Sequence, residues 1–139
     1  MSYSSSVALQ AAVYRHLRDD PALSDLIGDS IFDAMPVEAP SGPYVSLGPE
    51  DAVDAGDMTG RGSRHDFVVS VLAGSDQSVG FHSVKRVAAA VSDALENGGV
   101  ELEQGHLTAI WFQRAKARRV ENGAARRVDL TFRARIDLG

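Results

Sequence analysis

The residue types that do chemistry are sparse in this chain. Cysteine is absent from all 139 residues, which removes thiolate nucleophiles, disulfides, iron–sulfur clusters and Cys-based zinc sites together. The four histidines, His16, His65, His82 and His106, are scattered, with no pair at the helical spacing that supplies zinc ligands. They read as exposed or capping residues. Asp51, Asp54 and Asp57 recur every third position, whereas a calcium loop of the EF-hand type needs ligands at alternate positions and a downstream glutamate. Gly56, Gly60 and Gly62 join no strand to a helix, and no Gly-Lys-Ser/Thr follows them, so they read as loop glycines. No serine lies in Gly-x-Ser-x-Gly, and Ser46 and Ser70 read as strand residues. The sequence therefore predicts no catalytic residue, no cofactor and no metal.

Charge is the feature that stands out. The net charge is −5 and the isoelectric point about 5.2, which argues against a general nucleic-acid binder, but the charge is segregated. Residues 1–113 carry six basic and sixteen acidic side chains, or −10. Residues 114–135 carry eight basic ones (Arg114, Lys116, Arg118, Arg119, Arg126, Arg127, Arg133 and Arg135) against Glu121 and Asp129, or +6, and Asp137 follows. Such asymmetry suits a phosphate contact, an acidic protein partner or a solvated hairpin protected from aggregation. Trp111 and Phe112, beside Arg114 and Lys116, suit either base stacking or a core or subunit interface.

The elements that must position these residues fit one domain, residues 1–139. A composition of 44% hydrophobic and 24% charged residues suits a soluble globular chain with a real core. No apolar run reaches the length needed to span a bilayer, and Met1 to Ser6 lack a signal-peptide pattern, so the expected location is the cytosol, with no membrane partner. Leu9, Val13 and Leu17 share one helical face from about Ser5 to Arg18, which Asp20-Pro21 stops, and a short helical turn follows at Ala22 to Ile27. Tyr44 to Gly48 and Phe67 to Leu72 read as strands. Between them, Glu50 to Ser63 hold four acids, three glycines and no apolar periodicity, which predicts a mobile loop. Phe81, Val84, Val87, Ala88, Val91 and Leu95 form one stripe of a helix of about 18 residues ended by Asn97-Gly98-Gly99.

Glu121-Asn122-Gly123 between two strand-like runs predicts a hairpin. Its second arm alternates Val128, Leu130, Phe132, Ala134, Ile136 and Leu138 with polar residues, and its first arm, from about Leu107 to Val120, turns basic towards the tip. An arm of about 13 residues is about 43 Å long, against a body about 37 Å across for a radius of gyration near 14 Å. The part from Lys116 to Arg127 is therefore expected to project and to find its burial on another molecule. The fold class is α+β: a small, mostly antiparallel sheet with a long C-terminal hairpin, packed against two main helices.

Taken together, the leading helix with Leu9 and Leu17, Asp20-Pro21-Ala22-Leu23, Ile31-Phe32, Pro43 to Gly48, the Phe67 to Leu72 strand, the Val84 to Leu95 helix and the closing Val128 to Ala134 resemble the small tail-completion proteins of long-tailed phages and gene transfer agents, over nearly the whole chain. The resemblance is greatest to the tail terminators of that family. It implies a homo-hexameric ring at the head-proximal end of a tail tube, partnered by the tube protein and the stopper of the head connector, with DNA passing through the opening. It also implies assembly in the bacterial cytoplasm followed by residence in the tail of the particle, and it supplies no catalytic residue. The candidate interface residues are Asp51, Asp54, Asp57, Arg114, Lys116, Arg118, Arg119, Arg126 and Arg127. The alternative function is a small nucleic-acid-binding module that uses the basic hairpin.

Overall fold

The computed structural model describes residues 3–76, 78–120 and 125–139. Its elements run α1 (Ser4–Arg18), α2 (Pro21–Ile27), β1 (Ile31–Phe32), β2 (Tyr44–Asp54), β3 (Gly62–Leu72), α3 (Phe81–Glu96), β4 (His106–Val120) and β5 (Ala125–Asp137). The strands form one five-stranded sheet in the order β1-β2-β3-β5-β4. Only β1 runs parallel to its neighbour, so the sheet is mostly antiparallel and the fold is α+β.

Leu9, Val13 and Leu17 of α1 and Val84, Val87, Ala88, Val91 and Leu95 of α3 are buried against a single face of the sheet. That face is supplied by Val69 and Val71 of β3 and by Val128, Leu130, Phe132, Ala134 and Ile136 of β5. Period-two alternation puts every second side chain of a strand on one face, which is why the β5 pattern transfers directly into burial. Asp20 begins α2: its Oδ2 accepts from the Leu23 N–H at 3.0 Å, with Pro21 in the first turn, where a missing N–H leaves no helical bond unmade. α3 closes at Glu96, and Gly98 and Gly99 follow at φ of 83° and 87°.

Two expectations are corrected. Glu50 to Ser63 is not one mobile loop: β2 continues to Asp54 and β3 starts at Gly62, with Asp51 paired to Asp66 and Asp54 to Ser63. A β-bulge between Leu47 and Glu50 lets the chain change register at Gly48-Pro49, and the ladder then runs on without the apolar periodicity that usually betrays a strand. The connection from Ala55 to Arg61 is itself tied, because the Asp57 N–H donates to the Gly60 carbonyl at 2.8 Å and Oδ1 of Asp57 accepts from the N–H groups of Thr59 and Gly60. The hairpin also fails to project from Lys116 onward. β3 accompanies β5 from Gly62↔Asp137 to Leu72↔Arg127, so at Lys116, opposite Asp129, the sheet is still at least three strands wide. The expected turn at Glu121, Asn122 and Gly123 lies outside the described residues.

Candidate assembly surface

β4 is the edge of the sheet and pairs only with β5 among the described residues. Register shifts between Leu107 and Ala109 and between Phe112 and Arg114 break its ladder, a device that discourages indiscriminate strand addition at an edge. Almost the whole strand is exposed. The unmet burial therefore lies along this edge, where the sequence pointed instead beyond the hairpin's end.

The structure divides the expected basic residues between two faces. Arg114, Lys116 and Arg118 stand opposite Thr131, Asp129 and Arg127, on the face that carries no helix, whereas Arg119 stands opposite Arg126 on the other. Arg126 holds its guanidinium 5.8 Å from the centre of the Phe81 ring. Arg118 and Arg127 are engaged within the chain: both reach Asp129, at 3.3 and 2.7 Å, and Asp129 also accepts from the Ser70 hydroxyl at 2.7 Å. Burial pushes the Asp129 carboxyl up, but the bonds from Ser70 and Arg127 and the charges of Arg127 and Arg118 outweigh it and hold the pKa below the ordinary value. Four residues further along β5, Arg133 grips Asp66 through two bonds of 2.8 and 3.0 Å, which lowers the Asp66 pKa in the same way. Arg114, Lys116 and Arg119 remain exposed to solvent.

Asp51, Asp54 and Asp57 are not brought together as one patch. Asp51, opposite Asp66, faces away from the helices. Asp54, opposite Ser63, has the other parity, and Asp57 lies in the connecting turn beside the charge of Arg135. Trp111 and Phe112 are not core residues either, being 37% and 38% exposed. Trp111 lies opposite Arg133 on the open face, while Phe112 meets Phe132 edge-on with ring centres 6.1 Å apart.

The largest departure from sequence reasoning is His65. His16 bonds the Ala94 carbonyl at 2.8 Å, and His82 and His106 are exposed, but His65 is 0% exposed. Its Nε2 lies 2.8 Å from the Ser63 hydroxyl and its Nδ1 3.1 Å from Glu50 Oε2, while Ser5 and Ser6 of α1 bond Ser63 and Glu50. A serine, a histidine and a carboxylate thus stand in the order of an acyl-transfer triad. Ser63 is nevertheless fully buried, and the cavity beside Glu50 measures only about 20 Å³, too small for a substrate. What the cluster does is fasten the first turn of α1 to β2 and β3. Burial pushes Glu50 up, yet the bonds from His65 and Ser6 more than offset this, and its pKa is lowered.

No group of three His, Cys, Asp or Glu side chains that could hold a metal occurs among the described residues. No helix among them is long and apolar enough to cross a membrane. A cleft of about 590 Å³ between α2 and α3 brings Asp20, Arg86 and Asp93 to its walls without a nucleophile beside a base.

Residues 11–137 match the family model described as "Tail completion protein gp17", and the chain belongs to that family. It is similar to a chain of a solved structure described as "Virion of native gene transfer agent (GTA) particle", with 52% identity, a TM-score of 0.87 and coverage of 98% of this chain and 99% of that one. No curated protein matches significantly.

Proposed function

We propose that this member of the tail-completion family is a tail terminator, a structural and non-enzymatic component whose copies form a hexameric ring. The ring caps the tail tube at its head-proximal end, stops tube growth and joins the tube to the stopper of the head connector, and DNA leaves through its opening without sequence-specific binding. Assembly takes place in the bacterial cytoplasm, and the protein then resides in the tail of the particle. The observation that carries this reading is the likeness, over almost the full length of both chains, to a chain of a gene transfer agent virion. A long, exposed edge strand on a chain with segregated charge adds to it, since a ring is the closed form of a head-to-tail contact. The exposed Arg114, Lys116 and Arg119, with Arg118, Arg126 and Arg127 behind them, are assigned to contacts with neighbouring chains. Asp51, Asp54 and Asp57 are assigned to separate contact points at the far end of the β2–β3 hairpin.

Six chains of 14.8 kDa give a ring of about 89 kDa. Electron microscopy of the purified protein and of particles tests this directly. Rings of six are expected at the tube's head-proximal end, and their absence from assembled particles overturns the reading.

A second reading, a nucleic-acid-binding module, is favoured by the row Trp111, Arg114, Lys116 and Arg118 on one face of β4. It requires a monomer or dimer to bind DNA of mixed sequence with affinity that falls steeply with salt.

A further inference from the structure

The α1 helix has two apolar faces. Leu9, Val13 and Leu17 fill the core, but Tyr3, Val7 and Ala11, spaced by four residues, face solvent, with Tyr3 and Val7 66% and 67% exposed. Together with Gln10, Tyr14 and Asp33 this strip makes an open groove of about 570 Å³. Asp33 directly follows β1, so the groove belongs to one edge of the sheet. From Asp19 to Glu38 the chain has six acids and no Lys or Arg, and Asp29, Asp33 and Glu38 are exposed around β1. Asp33 is met by the neutral amide of Gln10, which leaves its charge uncompensated. Arg18, at the Tyr14 end, is turned to the Tyr14 hydroxyl and the Ile31 carbonyl.

At the opposite edge, β4 shows the converse. Trp111, Arg114 and Lys116 share its open face, and no acid occurs from Gln104 to Val120. A half-exposed tryptophan followed by two cations is complementary to an apolar groove rimmed by carboxylates. Because the two surfaces occupy opposite edges, they cannot meet within one chain, whereas identical copies can meet repeatedly, head to tail. In the α1 groove a nucleic acid is the poorer occupant, since its phosphates would be repelled by the exposed Asp29, Asp33 and Glu38.

We propose that Trp111 of one copy seats in the α1 groove of the next, with Arg114 and Lys116 directed to Asp33 and the acids around β1. This rests on the ring reading and names its subunit contact. The aromatic side chain supplies the buried area and the charges set direction and partner choice.

The absence of cysteine allows a clean test. Ala11 lines the groove, Ala109 is two residues from Trp111 on the same face of β4, and both are exposed. Chains carrying Ala11→Cys and Ala109→Cys together, assembled into particles and treated with a bis-maleimide about 10 Å long, a span that exceeds the roughly 7 Å between alternate strand positions, are expected to give a ladder of linked chains ending at six. Chains with either substitution alone should give no ladder. In solution, Trp111→Ala should weaken self-association by about tenfold or more. Arg114→Asp should weaken it as well, and Asp33→Arg in the same chain should restore part of the loss. Rings that are visible in particles but yield no ladder, with self-association unchanged by Trp111→Ala, overturn the groove contact and leave the terminator reading intact. Particles without rings overturn both. Loss of salt-dependent DNA binding in the Arg114→Asp chain, with self-association unaltered, also overturns the proposal and assigns the β4 row to nucleic acid.

Discussion

His65 and Glu50 face each other inside the molecule, Nδ1 to Oε2 at 3.1 Å, although the sequence presents Glu50 as the start of a polar loop that ends two residues before His65. Through Ser63, Ser5 and Ser6 the pair couples the start of α1 to the sheet. A buried hydrogen-bond network of this kind is costly to leave incomplete, because each orphaned group keeps its desolvation penalty and loses its partner.

His65→Ala is therefore expected to destabilise the fold by about 2 kcal/mol or more, since Glu50 and Ser63 both lose a partner. His65→Gln, which keeps a donor and an acceptor, should lose less. Urea unfolding followed by circular dichroism measures both. Equal stability of the alanine variant and the parent would show that the network contributes nothing to holding α1.

The depressed carboxyls make stability depend on pH with a definite sign. Glu50, Asp66 and Asp129 have folded pKa values below their ordinary 4.5, 3.8 and 3.8. In that range the unfolded chain binds more protons than the folded one, so stability rises with pH. It is fully present above these ordinary values and is lost as pH falls through the lowered ones. Urea midpoints between pH 7 and pH 2.5 should fall below about pH 4.5, where the unfolded carboxyls begin to protonate. The Asp129→Asn chain should show a shallower fall. A midpoint that rises on acidification contradicts the geometry.

The β5 alternation and the α3 stripe were legible because each buries a single face, so period two and period 3.6 print directly onto the sequence. The distal half of β2 was not legible. Its Glu50, Asp51 and Asp54 are held by backbone pairing to Phe67, Asp66 and Ser63, and a ladder at the end of a sheet needs no apolar side chains. The signal for His65 was present and lay in parity. Counting back by twos from Val71 through Val69 and Phe67 reaches His65 and Ser63, both on the buried face. The basic residues were visible as a cluster, but their division between internal partners and solvent depends on which strand positions oppose Asp129 and Phe81, and only tertiary register decides that.

Among the described glycines, Gly74 is the position where a side chain is least tolerable. Its φ is +85°, and a Cβ built there would lie 2.1 Å from the Gly42 carbonyl oxygen. The same close approach lets the Ser75 N–H donate to the Pro40 carbonyl and the Asp76 N–H to that of Ser41, both at 2.9 Å, which ties the segment entering β2 to the segment leaving β3. Gly74→Ala should cost about 2 kcal/mol or more and raise amide exchange at Ser75 and Asp76 before the sheet opens. Unchanged protection there would mean that the two loops separate without consequence.

Asp129 and Lys116 are direct neighbours across β4 and β5, yet they should report on different things. Asp129 is bonded within the chain to Ser70, Arg127 and Arg118, and replacing it by Asn removes a charge from partly buried bonds. A loss of about 1 to 2 kcal/mol in folding stability is expected. Lys116 is exposed on the edge strand, and Lys116→Ala should change folding stability by no more than about 0.5 kcal/mol. If β4 is a contact surface between chains, the smaller perturbation of the fold should cause the clearer defect in assembly, with Lys116→Ala chains slower to associate and more sensitive to salt. Thermal unfolding and light scattering on the two variants separate the effects. A Lys116→Ala chain that matches the parent in both, at low and high salt, would remove the β4 row from the assembly surface and leave its charges as solvated protection of an edge.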